Sequence, residues 1–165
     1  MTRRSAPELD IVIASDRWPS QAEAIVRGAL DAAAQTAGGN FAGRTLAVLL
    51  ADDAAVRGLN ASFRGIDNPT NVLSFPAAPN DPARPLGDIA IAFETTAREA
   101  QVENKPFANH LSHLAVHGFL HLIGYDHEQD AQAEEMELLE RRILAVLGVP
   151  DPYALEESLS EAART

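Results

Sequence analysis

Apolar residues are grouped along the chain in short runs and in longer stretches with helical spacing. The short runs contain β-branched residues or alternate with polar ones, which is the pattern of strands. We predict strands over residues 9–14, 45–50, 72–75 and 86–93, and helices over about residues 19–35, 95–101, 106–123 and 130–147, with one more helix after the second strand. This order predicts an α+β fold, in which helices pack on a mixed sheet of about four strands.

The helix after the second strand carries an apolar stripe with basic residues beside it. Asp52 or Asp53 stands where a side chain can cap the first turn. Arg57 and Arg64 lie on this helix or at its exit. Helical spacing predicts that one face is buried against the sheet. The expected buried residues are Ala55, Val56, Leu59 and Phe63.

Length and composition indicate one domain of ordinary size. We expect residues 1–150 of the 165 to form a single domain, and residues 151–165 to form an acidic tail that frays. The chain has no cysteine, so any metal must be held by histidine or carboxylate. No stretch approaches the length of a membrane span, and no signal-peptide core follows Arg3 and Arg4. We therefore expect a cytoplasmic protein without a membrane partner.

The net charge of −11 normally counts against nucleic-acid binding, because phosphate contacts need clustered lysine and arginine. The chain has a single lysine, and its arginines are scattered. Much of the acid, however, is concentrated in residues 128–140 and after residue 151. Since a binding site depends on local charge, the overall charge does not exclude a local phosphate site.

Three histidines near the end of a predicted helix have the spacing of a metal site. His117 and His121 are four residues apart, so on a helix they lie on one face, one turn from each other. Gly124 can end the helix and turn the chain back, which lets His127 offer a third nitrogen. Three imidazoles suit zinc and leave a fourth position, as in catalytic sites.

Two further histidines compete for this assignment. His110 and His113 lie on the same helical face, so the ligands could also come from the helix alone. His113 and His121 are eight residues apart, roughly 12 Å along a helix axis, which is too far for both to reach one ion. We expect surface or packing roles for His110 and His113.

The histidine spacing matches the long zinc signature of metzincin proteases, which places a glutamate directly after the first histidine. Gly118 occupies that position here. Because this glutamate is the general base of the protease mechanism, its absence argues against peptide hydrolysis and leaves the metal site intact.

Six short stretches spread over residues 9–153 form a recognisable set. They are Leu59-Asn60, Phe63-Arg64-Gly65, Pro69-Thr70-Asn71-Val72-Leu73-Ser74-Phe75-Pro76, Gly87-Asp88-Ile89, His117-Gly118 and Gly124-Tyr125-Asp126-His127. Together they resemble the YbeY family, whose members are bacterial endoribonucleases of ribosomal RNA maturation. The family's fold is a mixed sheet with helices, related to the zincin proteases. One departure is that Asn71 stands where many relatives have aspartate, and we give it no catalytic role.

The resemblance implies one zinc per chain, held by His117, His121 and His127, and a functional role for Arg64. A Lewis-acidic zinc and a fixed arginine together stabilise the charge that builds on phosphoryl oxygens during RNA cleavage. Asp126 is adjacent to a ligand and either orients an imidazole or caps the loop. The nucleophile stays open between a water at the metal and the 2′-hydroxyl of the RNA.

The implied function is a zinc-dependent, single-strand-specific endoribonuclease. It would act on the 3′ end of small-subunit ribosomal RNA and in ribosome quality control, with the small ribosomal subunit and its assembly factors as partners. Two alternatives remain from the residues alone. They are a metal-dependent hydrolase of another substrate, and a ribosome-associated factor with a structural zinc.

Overall fold

The computed structural model describes residues 6–68, 70–125 and 129–153 of the chain. Three predicted features lie outside these ranges. They are the metal ligand His127, its neighbour Asp126, and the tail beyond residue 153.

The described residues form one four-stranded sheet with the order β1-β2-β4-β3. β1, β2 and β4 are parallel, and β3 runs antiparallel to β4 at one edge of the sheet. The mixed sheet of four strands that the sequence predicts is therefore confirmed. The strands are β1 (Glu8–Ile13), β2 (Thr45–Ala51), β3 (Val72–Pro76) and β4 (Gly87–Ala92).

Five helices accompany the sheet in the described part of the chain, and they agree with the predicted ones to within a few residues. Pro106 stands just before α4, in the cap position, so that helix begins one residue later than the sequence suggests. No helix in residues 6–68, 70–125 and 129–153 is long and apolar enough to cross a membrane. The helices are α1 (Ala22–Ala37), α2 (Asp53–Arg64), α3 (Phe93–Val102), α4 (Phe107–Leu122) and α5 (Asp130–Val146).

One face of the sheet carries α1 and α4, α5 packs on these two helices, and the main core lies there. The core is built mainly from aliphatic side chains, together with Phe119, which is fully buried against Phe41 in an edge-to-face contact. The predicted core residues of α4 are all buried, which confirms the helical pattern. These residues are Leu111, Leu114, Phe119 and Leu122.

Close packing of α4 on the sheet depends on Gly118. A Cβ atom at this position would lie 3.1 Å from Ile89 Cγ2 and 3.2 Å from Ser74 Oγ. The absence of a side chain also lets the Ser74 hydroxyl donate a hydrogen bond of 2.9 Å to the Gly118 carbonyl. A side chain at this position, such as the glutamate of the metzincin signature, would therefore press on β3 and β4.

The other face of the sheet carries α2 and a much smaller core, formed by Ala51, Val56, Leu73, Ala90 and Ala92. The predicted buried stripe of α2 is wrong in part. Val56 is buried, but Ala55 and Phe63 are exposed, and Leu59 is half-buried. The buried polar residue Asn60 takes a place in the stripe instead, because its side-chain amide donates to the Asn68 carbonyl at 2.9 Å.

Candidate active site

A cleft of about 630 Å³ separates the edge strand β3 from the last turns of α4. Arg64, the predicted basic residue, lines this cleft together with His117 and His121, two of the predicted metal ligands. Arg64 comes from α2 and the two histidines come from α4, on opposite faces of the sheet. The walls are formed by Arg64, Thr70, Asn71, Val72, Ser74, Pro76, His117, His121, Gly124 and Tyr125.

His117 and His121 project from one face of α4, as their spacing predicts. Their Nε2 atoms lie 3.0 Å apart. Two nitrogens that bind the same zinc at about 2.0–2.1 Å with tetrahedral angles are about 3.3 Å apart. A small shift of either ring would therefore suit a shared ion, so the two imidazoles fit a zinc site.

The orientation of His117 is fixed from behind by Glu140 of α5. The Nδ1–H group of His117 donates to Glu140 Oε1 at 2.6 Å. In the neutral imidazole, a proton held at Nδ1 leaves the lone pair at Nε2, which is the atom that faces His121. Histidine ligands of metals commonly make such a hydrogen bond through the other ring nitrogen.

Glu140 is fully buried, yet it remains ionised. Burial on its own would raise the pKa of this carboxyl, but hydrogen bonds from His113 and His117 outweigh that effect and bring the pKa to about 2. The second oxygen, Oε2, accepts from His113 Nε2 at 2.9 Å and from the Tyr153 hydroxyl at 2.5 Å. Burial and the adjacent carboxylate raise the pKa of Tyr153, so its hydroxyl stays a donor.

His110 and His113 therefore have packing roles within the protein, in agreement with the spacing argument. His113 completes the hydrogen bonds of Glu140. His110 is buried and bonds through Nε2 to Glu99 Oε1 at 2.9 Å. Glu99 Oε1 also accepts from the Asn71 side-chain amide at 2.9 Å, so Asn71 contributes to the structure at the start of β3.

Glu140 was missed by the sequence reasoning, although its signal is present. The buried side of α5 includes Met136, Leu139 and Ile143. Glu140 falls within this apolar stripe, four residues after Met136. A carboxylate in such a position must be paired inside the protein, and the histidines of α4 are the natural partners.

The chain turns away at the end of α4, as predicted. Gly124 has a φ of 106°, a conformation that favours glycine. The next described residue, Tyr125, donates its backbone N–H to the Leu120 carbonyl at 3.0 Å. His127 and Asp126 follow directly but lie outside the described residues. Within those ranges, no group of three or more histidine, aspartate or glutamate side chains could hold a metal, so the third ligand remains a prediction.

Arg64 is the last residue of α2, and the helix end determines where its side chain goes. Gly65 adopts a left-handed conformation, with φ 69°, and its N–H bonds back to the Ala61 carbonyl. The N–H of Ile66 bonds to the Asn60 carbonyl at 3.3 Å. The bond from Gly65 to Ala61, with the glycine in the left-handed conformation, is that of the αL type of helix end, and the chain leaves α2 in a fixed direction.

The Arg64 side chain reaches the edge of the sheet at β3. Its guanidinium donates to the Ser74 carbonyl at 2.7 Å and lies 5.7 Å from the centroid of the Phe75 ring. No carboxylate of the described residues lies within ion-pair distance of it. Arg57 on the same helix differs, because it pairs with Asp67 at 2.7 Å. The charge of Arg64 is therefore available to an anion in the cleft.

A family profile described as "Endoribonuclease YbeY" matches residues 10–148, which include both sides of this cleft. The chain belongs to the YbeY family. The resemblance that the motifs suggest is thereby confirmed, and the match covers all five described helices, the sheet apart from the first two residues of β1, and the histidine segment.

Curated relatives in the YbeY family agree with this membership. A protein named Endoribonuclease YbeY from Rhodopseudomonas palustris strain BisB18 is 58% identical over 97% of this chain and 100% of its own length. A protein of the same name from strain BisA53 is 61% identical over 90% of this chain and 91% of its own. A third, from Nitrobacter winogradskyi, is 54% identical over 97% and 89%.

A solved structure also shares the fold. The solution structure of TM1509 from Thermotoga maritima superposes with a TM-score of 0.58 and 27% sequence identity. The similarity covers 82% of this chain and 86% of that one. The arrangement of sheet and helices described above therefore exists in an experimentally determined protein.

Proposed function

We propose that the protein is a zinc-dependent, single-strand-specific endoribonuclease that acts in ribosomal RNA processing and ribosome quality control. The proposed target is the 3′ end of the small-subunit RNA. The observation that carries this proposal is the cleft in which Arg64 meets His117 and His121. It is supported by the name Endoribonuclease YbeY, which relatives more than half identical to this chain carry.

His117, His121 and His127 are the proposed zinc ligands, at one zinc per chain. The 3.0 Å separation of the His117 and His121 Nε2 atoms supports a shared ion, and so does the buried carboxylate behind His117. Zinc in this position would supply a Lewis acid for charge on the phosphoryl oxygens. Asp126, beside the third ligand, is proposed either to orient an imidazole or to cap the loop.

Arg64 is the proposed phosphate-binding residue. Its guanidinium uses one N–H group on the Ser74 carbonyl, which fixes the fork at the cleft. The remaining N–H groups can donate to two phosphoryl oxygens at once, the geometry in which arginine binds phosphate best. A cation held in place before the reaction stabilises developing negative charge without reorganisation.

Single-stranded RNA suits the shape of the cleft. One wall is the edge strand β3, whose outer side has no neighbouring strand in the described part of the sheet. An unpaired RNA strand is narrow enough to lie along such an edge, and its bases are accessible to protein contacts. The proposed partners are the small ribosomal subunit and its assembly factors.

The proposal is tested by mapping the 3′ ends of small-subunit RNA in cells that lack the gene. Ends longer than the mature form should accumulate, and the wild-type gene should restore the mature ends. The gene with Arg64→Ala should fail to restore the mature ends although it keeps the metal ligands, whereas the gene with Arg57→Ala should succeed. Normal ends in the deletion strain would contradict the proposed substrate, and full restoration by Arg64→Ala would favour a structural zinc protein.

A further inference from the structure

Phe63 is a large apolar side chain that the fold leaves in solvent. It is 70% exposed, although it lies on the sheet side of α2 beside the smaller core. Its only ring partner among the described residues is Phe75 of β3, at a centroid distance of 5.5 Å. An exposed aromatic ring supported from one side by a second ring is a surface on which a planar group can stack.

This aromatic pair is continuous with the proposed RNA cleft. The Phe75 ring centroid lies 5.5 Å from that of Phe63 and 5.7 Å from the central carbon of the Arg64 guanidinium. Arg64 in turn lines the cleft with His117 and His121. A strand whose phosphate binds Arg64 therefore passes the edge of the sheet within reach of Phe63.

The surroundings of Phe63 favour an uncharged, planar ligand. It borders a groove of about 410 Å³ on the open face of the sheet, with apolar walls that include Val12, Leu49 and Leu59. No cation lines this groove in the described residues, and the one charged lining residue is Asp88. Asp88 is opposite Phe75 in the pairing of β3 with β4, so both side chains are on this face. A carboxylate repels phosphate but does not repel a nucleobase.

We propose that Phe63, supported by Phe75, is a stacking site for one unpaired base of the RNA strand whose phosphate is held by Arg64. This inference rests on the proposed function and adds a base-binding subsite to it. It also addresses the net charge of −11, which weakens the attraction of the protein for RNA. Stacking does not depend on attraction between opposite charges, so it adds affinity that an acidic protein otherwise lacks.

The test is single-turnover cleavage of a short single-stranded RNA by the zinc-loaded protein, with the protein concentration varied. Phe63→Leu keeps the apolar bulk but cannot stack, and it should raise the half-saturating concentration about 10-fold. The maximal rate should change much less. Phe63→Tyr keeps the ring and should behave like the wild type. Leu138→Ala, at a 56% exposed position on α5, is the control for the loss of an exposed apolar side chain.

The stacked base is identified with RNAs that each lack one base. With one such RNA, the half-saturating concentration of the wild type should equal that of Phe63→Leu with the complete RNA. Phe63→Leu with that same abasic RNA should show no further increase. A 2-aminopurine placed at the same position should lose fluorescence on binding to the wild type but not to Phe63→Leu, a readout that does not depend on cleavage.

Three results separate this inference from the proposed function. Equal half-saturating concentrations for the wild type and Phe63→Leu, with normal cleavage, would overturn the stacking site alone. If the two half-saturating concentrations were equal and the wild type formed a dimer that Phe63→Leu abolishes, the groove would be a self-association surface. That result would also overturn the stacking site. A wild type that neither cleaves the RNA nor quenches 2-aminopurine at any position would overturn both.

Discussion

The two faces of the sheet differ in how firmly they hold their side chains. On the face that carries α1 and α4, the large core contains Phe119, and Glu140 is buried beneath the cleft with every oxygen hydrogen-bonded. On the face covered by α2, the core is small, and Phe63 is exposed. His117 and His121, two of the proposed metal ligands, come from the helix α4 on the first face, and Arg64 comes from the helix on the second.

This difference fits the separate demands of the two proposed tasks. A metal site needs ligand rings that are fixed before the ion binds, and the hydrogen bond between His117 and buried Glu140 provides that. A nucleic-acid site must admit a long, charged strand, so its residues have to be reachable from solvent. Arg64 meets this need because it is exposed, although its guanidinium is held at the edge of the sheet by the Ser74 carbonyl.

The largest difference between substitutions on the two faces should be in the stability of the fold. Phe119→Ala removes a fully buried ring and should lower the free energy of unfolding by about 3–5 kcal/mol. Phe63→Ala, on the open face, should change it by no more than about 0.5 kcal/mol. Urea denaturation of both variants measures this. Similar losses would show that the face with α2 is as firmly packed as the other.

Metal binding should depend on α4 almost as strongly. His117→Ala should reduce zinc affinity by more than about 100-fold. Even the loss of a residue that only hydrogen-bonds to a metal ligand reduces metal affinity by about 10- to 100-fold. His127→Ala should act in the same way, and His110→Gln should retain one zinc per chain, since His110 bonds to Glu99 and does not line the cleft. Elemental analysis with a competing chelator measures this. A full equivalent of tightly bound zinc in His127→Ala would assign the third ligand elsewhere.

A smaller effect is expected from Glu140→Gln, which keeps the shape of the side chain but removes its charge. His117 would then be held by a weaker hydrogen bond, and zinc affinity should fall about 10- to 100-fold. The three metal ligands would all remain. Zinc titration beside a denaturation curve distinguishes this from general destabilisation. Unchanged affinity would mean that Glu140 serves only to satisfy buried groups.

Much of the fold could be predicted because periodicity reports burial. The bounds of α4 and β2 were predicted almost to the residue, since both elements have long apolar patterns and pack against the main core. The pattern failed on α2, where Phe63 continues an apolar stripe but lies beyond the reach of the small core. Periodicity shows which side of a helix is apolar, but it does not show how far the sheet extends beneath it.

The candidate site was predicted only where its residues are close in sequence. His117 and His121 share a helix face, so their spacing alone brings them together. Glu140 lies 23 positions from His117 and meets it only because α5 packs on α4. Arg64 reaches the same cleft across the edge strand, and for that residue the family resemblance, rather than any local pattern, supplied the expectation.

We propose that the cleft between α4 and β3 cleaves RNA with the help of Arg64. The direct test of this claim compares substitutions of two arginines on α2, Arg64 and Arg57. Single-turnover cleavage of a single-stranded RNA is measured for zinc-loaded wild type, Arg64→Ala, Arg64→Lys and Arg57→Ala. Arg64→Ala should be slower by about 10-fold or more, the effect of losing one electrostatic donor, with zinc content unchanged. Arg64→Lys should recover only part of the rate, because lysine keeps the charge but loses the planar fork. Arg57→Ala, which breaks only the exposed pair with Asp67, should cleave like the wild type. Equal rates for Arg64→Ala and Arg57→Ala would contradict the claim.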